Sequence, residues 1–590
     1  MHVSPHSPDS VPVVATATLD GMRERIRRKS RLKGRQADEL SLAEVRALIG
    51  ASPEGGHRRD LLIEYLHKLN DFYRCLHARH LVALAKDMNI SMAEVYEVAT
   101  FYHHFDVREG SDAEAPALTV RVCNGLSCEM AGAQALLQKL PDLLGSNVRV
   151  IAAPCIGRCE QAPAVAVGQM AVPCATLETV QAVQETVISK DYEENSLLAQ
   201  ELGAKFAINS IAYEAYRERG GYGLAAAVVN GEEDAELILK VMEDSGLRGL
   251  GGAGFPAGRK WRIVREQPAP RLMVINIDEG EPGTFKDRTY LERDPHRFLE
   301  GMLIAAQVTG TEAVYIYLRD EYHDCRAMLQ AELAKLLADP PCSLPLIELR
   351  RGAGAYICGE ESAMIESIEG KRGEPRMRPP YIAEVGLFGR PTLAHNFETL
   401  YWVRDIVEKG PQWFAGFGRN GRKGLRSFSV SGRVKLPGVK LAPAGITLLE
   451  LIAEYCGGMA DGHTLYAYLP GGASGGIFPA SLADVPLDFD TLQPHGGFIG
   501  SAAVIVLGQH DMARDAALNM MRFFAHESCG QCTPCRVGTG KAAHLMEAPV
   551  WDTSTLEDLN QVMADASICG LGQAAPNPVR SIVKYFPHEI

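Results

Sequence analysis

The sequence predicts an α/β protein built from several domains, and three observations support this prediction. The chain has 590 residues, 46% hydrophobic and 23% charged, which is enough for several separate cores. Hydrophobic residues follow a helical period between about residues 41 and 105 and alternate with polar residues after Ala115. Eight of the 14 cysteines form two widely separated groups of four, one between residues 123 and 159 and one between residues 529 and 569.

The first 36 residues are predicted to form a flexible leader, because they lack a hydrophobic period. Eight Arg and Lys residues surround Glu24 between Arg23 and Arg35, which favours a solvated arm or a contact with an acidic partner. A sorting signal is the alternative, although no apolar segment follows Arg27 and Arg28 as an export signal requires.

The net charge of −13 argues against nucleic-acid binding, because contacts with phosphates need a cationic surface. The longest mostly apolar stretch, Gly497 to Gly508, is too short to cross a bilayer. We therefore expect a cytoplasmic protein without a nucleic-acid partner and without direct membrane insertion.

A small helical bundle is predicted from Ser41 to Phe105. Ser91 has the position of an N-cap, and Glu94 follows three residues later as its capping-box partner. Two hydrophobic runs have the spacing of buried helix faces: Leu61, Leu62, Tyr65 and Leu66, then Leu81, Leu84 and Met88.

After Ala115 the pattern predicts a small sheet with cysteines at its strand ends. Leu118, Val120 and Val122 alternate with polar residues, a helix is expected from Ala131 to Leu140, and Val148 to Ile151 resembles another strand. Two thiol pairs, each on one loop, suit a two-iron cluster with one iron per pair. Zinc is the alternative, since zinc sites tolerate these spacings. The four candidate ligands are Cys123, Cys128, Cys155 and Cys159.

Near the carboxyl end, the segment FFAHESCGQCTPCR predicts a second iron–sulfur centre. Cys529, Cys532 and Cys535 are spaced at two-residue gaps, and Cys569 is available as a fourth ligand for a four-iron cube. A zinc site usually draws on two separated Cys-x2-Cys hooks, and a disulfide framework is not typical of so long a chain without a secretory signal. Such a cluster transfers single electrons, so a redox function is expected.

The glycine-rich segment from Gly246 to Trp261 is the second chemical centre. Gly249, Gly251 and Gly254 have the spacing of a dinucleotide fingerprint, but the preceding residues Ala235 to Asp244 are predicted to be helical, whereas a Rossmann turn follows a strand. Glycines still allow backbone N–H groups to approach a phosphate or a flat ring, and Arg259 and Lys260 add positive charge. A flexible loop is the alternative.

Four motifs together resemble the NADH-oxidising flavoprotein subunit of respiratory complex I and its soluble relatives. These are GLRGLGGAGFPAGRKW, NIDEGEPGTFKDR, GAYICGEESA and ESCGQCTPCR, within about residues 200 to 590. Upstream, AEVYEVATFYHHF and the four spaced cysteines resemble the two-iron partner subunit of the same enzymes. A chain that combines the motifs of both subunits most resembles the diaphorase subunits of soluble NAD-reducing nickel–iron hydrogenases.

This resemblance implies FMN, NAD(H), a [2Fe-2S] cluster and a [4Fe-4S] cluster, and a sequence of domains. We expect a basic leader (1–36), a helical bundle (37–112), a thioredoxin-like [2Fe-2S] domain (113–192), a helical linker (193–240), an FMN/NAD(H)-binding α/β domain (241–425), a β-grasp domain (426–508) and a C-terminal helical bundle with [4Fe-4S] (509–590).

The resemblance also implies residue roles. Gly249, Gly251 and Gly252 are expected to line FMN, with Lys260 near its phosphate and Asn276, Asp278 and Glu279 at its polar edges. Phe255 and Tyr381 are expected to stack on the dinucleotide, because aromatic faces suit a planar base. Tyr356, Gly359, Glu360 and Glu361 are expected to approach the flavin ring.

Two carboxylates, Glu281 and Glu360, are expected to act in catalysis, Glu281 as an acceptor on the nicotinamide side. Relatives usually have two adjacent asparagines where this chain has His395 and Asn396. Asn396 is expected to contact the flavin, while His395 makes the neighbouring contact doubtful or forms only a local hydrogen bond.

The predicted activity is hydride exchange between NAD(H) and FMN, followed by single-electron transfer through the clusters. The expected partners are an iron–sulfur electron-transfer subunit and, through it, the small and large hydrogenase subunits, because no nickel site is left in this chain. The equivalent subunit of an NAD-dependent formate dehydrogenase or of complex I is an alternative, and a noncatalytic iron–sulfur scaffold is a third hypothesis.

Overall fold

The computed structural model describes residues 35–109, 115–188 and 210–590. All but the last two residues of the predicted leader, and residues 193–209 of the predicted linker, lie outside these ranges. Within the described ranges, no helix combines the length and the apolar character that a transmembrane span needs.

The first described module is helical, as the hydrophobic period predicts. The predicted capping box is present: Glu94 N donates to Ser91 Oγ at 3.2 Å, and Ser91 N donates to Glu94 Oε2 at 3.0 Å. The short parallel strands Leu76–His77 and Val107–Arg108 pair beside the helices. The α-helices are Glu39–Ile49, Leu62–Tyr73, Ala78–Asp87 and Met92–Phe101.

The second module is a four-stranded mixed sheet. Its spatial order is Val148–Ala153, Leu118–Cys123, Val165–Val167 and Met170–Val172, and the first two strands are parallel. The predicted helix after Ala131 runs over Ala133–Leu144, because Gly132 precedes it with a φ of 92°. The other helices are Leu126–Met130 and Leu177–Ile188.

The third module is built on a four-stranded parallel sheet, with the order Thr392–Asn396, Arg271–Ile277, Thr311–Leu318 and Leu346–Arg351. Nearly every residue of the two central strands is buried, as expected for a parallel sheet with both faces covered. Its helices are Tyr213–Glu218, Gly223–Val229, Ala235–Asp244, Ala257–Arg265, Lys286–Arg293, Pro295–Thr309, His323–Ala338, Glu361–Ile368, Phe397–Tyr401, Val403–Lys409 and Pro411–Ala415.

A mixed five-stranded sheet follows, with the order Gly438–Pro443, Leu425–Gly432, Ala503–Gly508, Leu465–Leu469 and Phe478–Pro479. The helix Leu448–Tyr455 begins with a capping box between Thr447 and Glu450. The carboxyl end is helical, with Ala513–Glu527, Thr533–Met546, Thr553–Ala566, Gly570–Ala574 and Pro576–Tyr585.

Polar contacts join these modules around the parallel sheet. His67 Nε2 lies 2.8 Å from Gly352 O at the sheet edge, and burial lowers the pKa of His67 to about 3, so the imidazole is neutral and donates. Asn519 Nδ2 in the last module donates to Asn124 O beside the first cysteines at 2.9 Å. The modules therefore pack as one assembly in which both cysteine groups approach the parallel sheet.

We predict that Gly301→Ala destabilises the protein, because a Cβ at this position would lie 2.0 Å from Leu400 O in the neighbouring helix. Overpacking of this kind costs about 1–3 kcal/mol. Gly540→Ala is the matched control: Gly540 is also helical, and a Cβ there meets nothing within 4 Å among the described residues. Calorimetry should show a lower apparent Tm for Gly301→Ala only; equal Tm values would contradict the packing described for Gly301.

Candidate functional site

A cavity of about 310 Å³ lies at the carboxyl end of the strand Arg271–Ile277, one of the two central strands of the parallel sheet. Its walls come from the glycine-rich segment, the mixed five-stranded sheet, the C-terminal helices and residues 276–281, here called the acidic strand end. Ten residues with a predicted cofactor role line it: Gly251, Gly252, Asn276, Asp278, Glu279, Glu281, Tyr356, Gly359, Glu360 and Asn396.

The glycine-rich segment connects the helices Ala235–Asp244 and Ala257–Arg265. The prediction that no strand precedes it is confirmed. Gly252 has a φ of 135°, a conformation that L side chains rarely adopt, and a Cβ at Gly251 would lie 2.9 Å from Asn396 Cβ. Close packing and backbone conformation thus both require glycine where this backbone borders the cavity.

The strand end is held in place by side-chain amides. Asn276 Nδ2 donates to Gly359 O at 2.7 Å, and Asp278 N donates to Asn276 Oδ1 at 2.9 Å. Asp278 Oδ2 is buried without a hydrogen-bond partner among the described residues, and burial raises the pKa of Asp278 well above its ordinary value. A protonated carboxyl group at the cavity wall can donate a hydrogen bond to a polar ligand.

The two carboxylates with predicted catalytic roles have different surroundings. Glu281 accepts from Ser474 N at 3.0 Å and from Ser501 Oγ at 3.4 Å, and burial raises its pKa. Glu360 Oε2 accepts from Ser362 N and Ala363 N, both at 2.9 Å, and caps the helix Glu361–Ile368. Glu281 is therefore enclosed, whereas Glu360 is committed to the helix terminus.

Sequence reasoning missed a buried ion network beside the cavity. Lys286 Nζ lies 2.7 Å from Asp287 Oδ1 and 3.0 Å from Glu398 Oε2. Asn396 Nδ2 donates to Asp287 Oδ2 at 2.6 Å, so the network reaches the predicted flavin residue. Burial alone would lower the pKa of Lys286, but Asp287 and Glu398 outweigh it and raise this pKa. Lys286 lies within a motif that the sequence singles out, yet no pattern marks a lysine as buried.

Five residues with predicted cofactor roles lie outside this cavity: Gly249, Phe255, Lys260, Glu361 and Tyr381. Lys260 Nζ donates to Ala394 O at 3.1 Å and lies 3.8 Å from Glu361 Oε2. Phe255 and Tyr381 are 39% and 56% exposed. Their roles in nucleotide binding stay predictions.

His395 forms a local hydrogen bond, one of the two alternatives for this position. Trp261 Nε1 donates to His395 Nε2 at 2.7 Å. Burial, with a smaller contribution from Lys260, holds the pKa of His395 well below its ordinary value, so the ring is a neutral acceptor. It is absent from the residues lining the described cavity.

The first thiol group is buried and compact. Cys155 Sγ and Cys159 Sγ are 3.2 Å apart, and the neighbouring thiols of Cys128 and Cys155 raise the pKa of Cys123 well above its ordinary value. Hydrogen bonds from Cys123 and Cys159 lower the pKa of Cys155. Four buried thiolates in contact would repel one another, so a cationic metal centre fits this donor set.

The loop that carries Cys155 and Cys159 is bound to the parallel-sheet module. Arg319 Nη2 donates to Cys155 O at 2.7 Å, and Arg288 Nε donates to Gly157 O at 3.0 Å. The Tyr322 ring packs so closely on Gly157 that it leaves no room for a Cβ there. Tyr322 Oη also donates to Glu279 Oε2 at 2.8 Å. Burial, then the neighbouring Asp287, raises the pKa of Glu279 to about 7. Glu279 thus connects the cavity wall to the supports of the thiol loop.

The second thiol group lies on the C-terminal helices that border the cavity. Cys532 and Cys569 are the N-cap residues of the helices Thr533–Met546 and Gly570–Ala574. Burial raises the pKa of Cys535 to about 11 and that of Cys569 to about 12. Gly570 and Leu571 line the cavity, so Cys569 is the direct sequence neighbour of a cavity residue.

Three family models match separate parts of the chain. Residues 46–187 match a thioredoxin-like [2Fe-2S] ferredoxin, residues 242–405 match the Nuo51 FMN-binding domain, and residues 515–590 match the NADH-ubiquinone oxidoreductase-F iron-sulfur binding region. The predicted cofactors FMN, [2Fe-2S] and [4Fe-4S] agree with these matches.

Curated relatives include an NADH-quinone oxidoreductase subunit of Aquifex aeolicus, which is 40% identical over 418 residues, 68% of this chain and 96% of the relative. The mitochondrial NADH dehydrogenase [ubiquinone] flavoprotein 1 of Dictyostelium discoideum is 41% identical, over 61% of this chain and 79% of the relative.

A solved structure of an NAD+-reducing [NiFe]-hydrogenase in the H2-reduced state matches 90% of this chain and 93% of its own, with a TM-score of 0.78 and 32% identity. The air-oxidized state gives a TM-score of 0.76. The chain therefore belongs to the family of NADH oxidoreductase flavoprotein subunits, with FMN-binding and iron–sulfur domains, that includes the NADH-quinone oxidoreductase relative from Aquifex aeolicus.

Proposed function

We propose that this chain is the NAD(H):FMN oxidoreductase subunit, or diaphorase, of an NAD-reducing hydrogenase. The observation that carries the proposal is the shared cavity: the glycine-rich backbone, the acidic strand end and the Cys569 helix all border it, and the Cys155 loop is bound to its wall. Such an arrangement places the proposed flavin, which supplies electrons, near both proposed iron–sulfur centres, which can accept them.

The residues at the cavity fit FMN. Gly251 and Gly252 offer backbone without a Cβ, and Asp278 offers a buried polar atom that lacks a partner in the described part of the chain. We assign Asn276, Asp278 and Glu279 to the polar edge of the flavin, Asn396 to a further contact, and Lys260 to the phosphate. When bound, FMN exchanges a hydride with the nicotinamide and passes electrons on singly.

The protein contributes positioning and electrostatics rather than proton transfer to this reaction. The serines that hold Glu281 fix its carboxyl group at the cavity wall, on the proposed nicotinamide side. Glu360 keeps its cap position and presents a carboxylate to the same cavity. Phe255 and Tyr381, both solvent-facing, are proposed to stack on the dinucleotide as it enters.

We assign the [4Fe-4S] cluster to Cys529, Cys532, Cys535 and Cys569, and the [2Fe-2S] cluster to Cys123, Cys128, Cys155 and Cys159. The [4Fe-4S] cluster is proposed as the relay centre, because Cys569 adjoins the cavity wall. The [2Fe-2S] cluster is proposed as a side centre that stores an electron or supports folding.

The family implies partner subunits with iron–sulfur centres. We propose an iron–sulfur electron-transfer subunit and, through it, the small and large [NiFe]-hydrogenase subunits, which the similarity to the NAD+-reducing hydrogenase over 90% of this chain favours. The equivalent subunit of complex I is the second candidate, favoured by the NADH-quinone oxidoreductase and NADH dehydrogenase relatives. A cytoplasmic location stays a prediction.

Lys286→Met should destabilise the folded chain and lower its FMN content, because Asp287 and Glu398 would be left as unpaired buried charges. Breaking a buried pair typically costs about 3–5 kcal/mol. Lys335→Met is the matched control: Lys335 also contacts two carboxylates, Glu332 and Glu214, but its side chain is 39% exposed. Its expected cost is about 1 kcal/mol or less. Flavin-to-protein ratios and apparent Tm values measure both variants, and equal losses would contradict the assigned role of Lys286.

The proposed electron route is tested by Cys569→Ala in the flavin-loaded chain. We expect NADH to bleach the flavin absorbance of this variant at a near-normal rate, while the rate of electron delivery to the co-purified iron–sulfur partner falls at least tenfold. Cys174→Ala, at an exposed cysteine outside both groups, is the control and should leave both rates unchanged. Unaltered delivery in Cys569→Ala would refute the route, and a flavin that NADH does not bleach in the unmodified chain would refute the function.

A further inference from the structure

A second cavity, of about 140 Å³, lies where the helical N-terminal module, the four-stranded mixed-sheet module with Cys155, the parallel-sheet module and the C-terminal module meet. His103, His526 and Glu527 all line it. These residues belong to the motifs FYHHF and FFAHESC, and the redox function uses none of them.

The three side chains converge. Each offers one nitrogen or oxygen ligand atom, and these atoms lie within 4.8 Å of one another. The imidazole rings of His103 and His526 are stacked with centroids 4.2 Å apart, and His526 Nδ1 lies 3.2 Å from Glu527 Oε1.

The carboxylate has a fixed orientation. Glu527 is 4% exposed, and its Oε2 accepts from Tyr356 N at 2.9 Å, which leaves Oε1 directed at the histidines. A hydrogen bond of this kind orients a metal-ligating carboxylate from behind. The two imidazoles, in contrast, are accessible from the cavity, so an ion and its water have a path of entry.

The charge around the cavity permits a cation. Arg319, which also lines it, is paired with Glu321 at 2.8 Å, so this guanidinium is already balanced by a carboxylate. Arg121 is the other arginine on the walls. Two imidazoles and one carboxylate, with an open position for water, form a donor set that zinc binds in tetrahedral sites.

We propose that His103, His526 and Glu527 form a binding site for a divalent transition-metal ion, with Zn²⁺ as the fitting ion. The site joins the N-terminal helical module to the helix Ala513–Glu527, which directly precedes the Cys529 loop. Ion binding therefore clamps two modules together beside the segment that carries the [4Fe-4S] ligands.

The test uses the holoenzyme with its FMN and iron content verified, washed with a chelator and dialysed against Zn²⁺. We expect one tightly held zinc per chain, with nitrogen and oxygen neighbours at about 2.0–2.2 Å in zinc-edge X-ray absorption spectra. His103→Gln and His526→Gln should each lose this zinc. His544→Gln, at a histidine that is 83% exposed in the same C-terminal module, is the matched control and should keep it.

Zinc retained by both cavity variants would overturn the proposal, and so would sulfur neighbours at about 2.3 Å, since these would place the ion on the cysteines. A loss of iron from His526→Gln would mean that this substitution disturbs the cluster loop that follows His526. In that case the zinc content of His103→Gln is the decisive result, since His103 lies on a different module. The second readout is the apparent Tm, which saturating zinc should raise in the unmodified protein and in His544→Gln only.

Discussion

The docking of the cysteine-bearing modules on the parallel sheet is the constraint on which the rest of the structure depends. Glu279, at the end of the central strand, accepts from the backbone of Asp287 and Arg288 and from Tyr322. Arg288 then holds the Cys155 loop, while Glu527 holds the Tyr356 backbone from the opposite side. Because the cavity walls come from separate modules, the cavity exists only when these modules are docked.

Docking of the modules buries several acidic side chains at the cavity, and burial of a charged group is unfavourable. Asp278, Glu279 and Glu281 are carboxyl groups whose pKa is raised chiefly by burial, which means that their ionised forms are disfavoured in the folded protein. Buried cations offset part of this concentration of acid: Lys286 acts on Glu279 and Arg319 on Asp278. Residues with such perturbed pKa values gather at functional sites, and here they surround the proposed flavin pocket.

Much of the fold was predictable, because its signals are local. The capping box at Ser91 and the helix Ala235–Asp244 follow from spacing and periodicity alone. The cysteine groups were equally visible, since their chemistry depends on short sequence gaps. Contacts between distant segments were not: Ser474 and Ser501 reach the cavity through tertiary packing, and nothing in the sequence around them marks them. The burial of Lys286 likewise depends on neighbours that only the fold supplies, such as Glu398.

The most direct test of the account is an experimental structure of the FMN-loaded chain, with iron located by anomalous scattering. We predict flavin density in the cavity bordered by Gly251, Asp278 and Leu571, with one iron centre at Cys569 and a second at Cys155. Flavin density elsewhere, or iron absent from either thiol group, would contradict the claim that one docked assembly places the flavin beside both clusters.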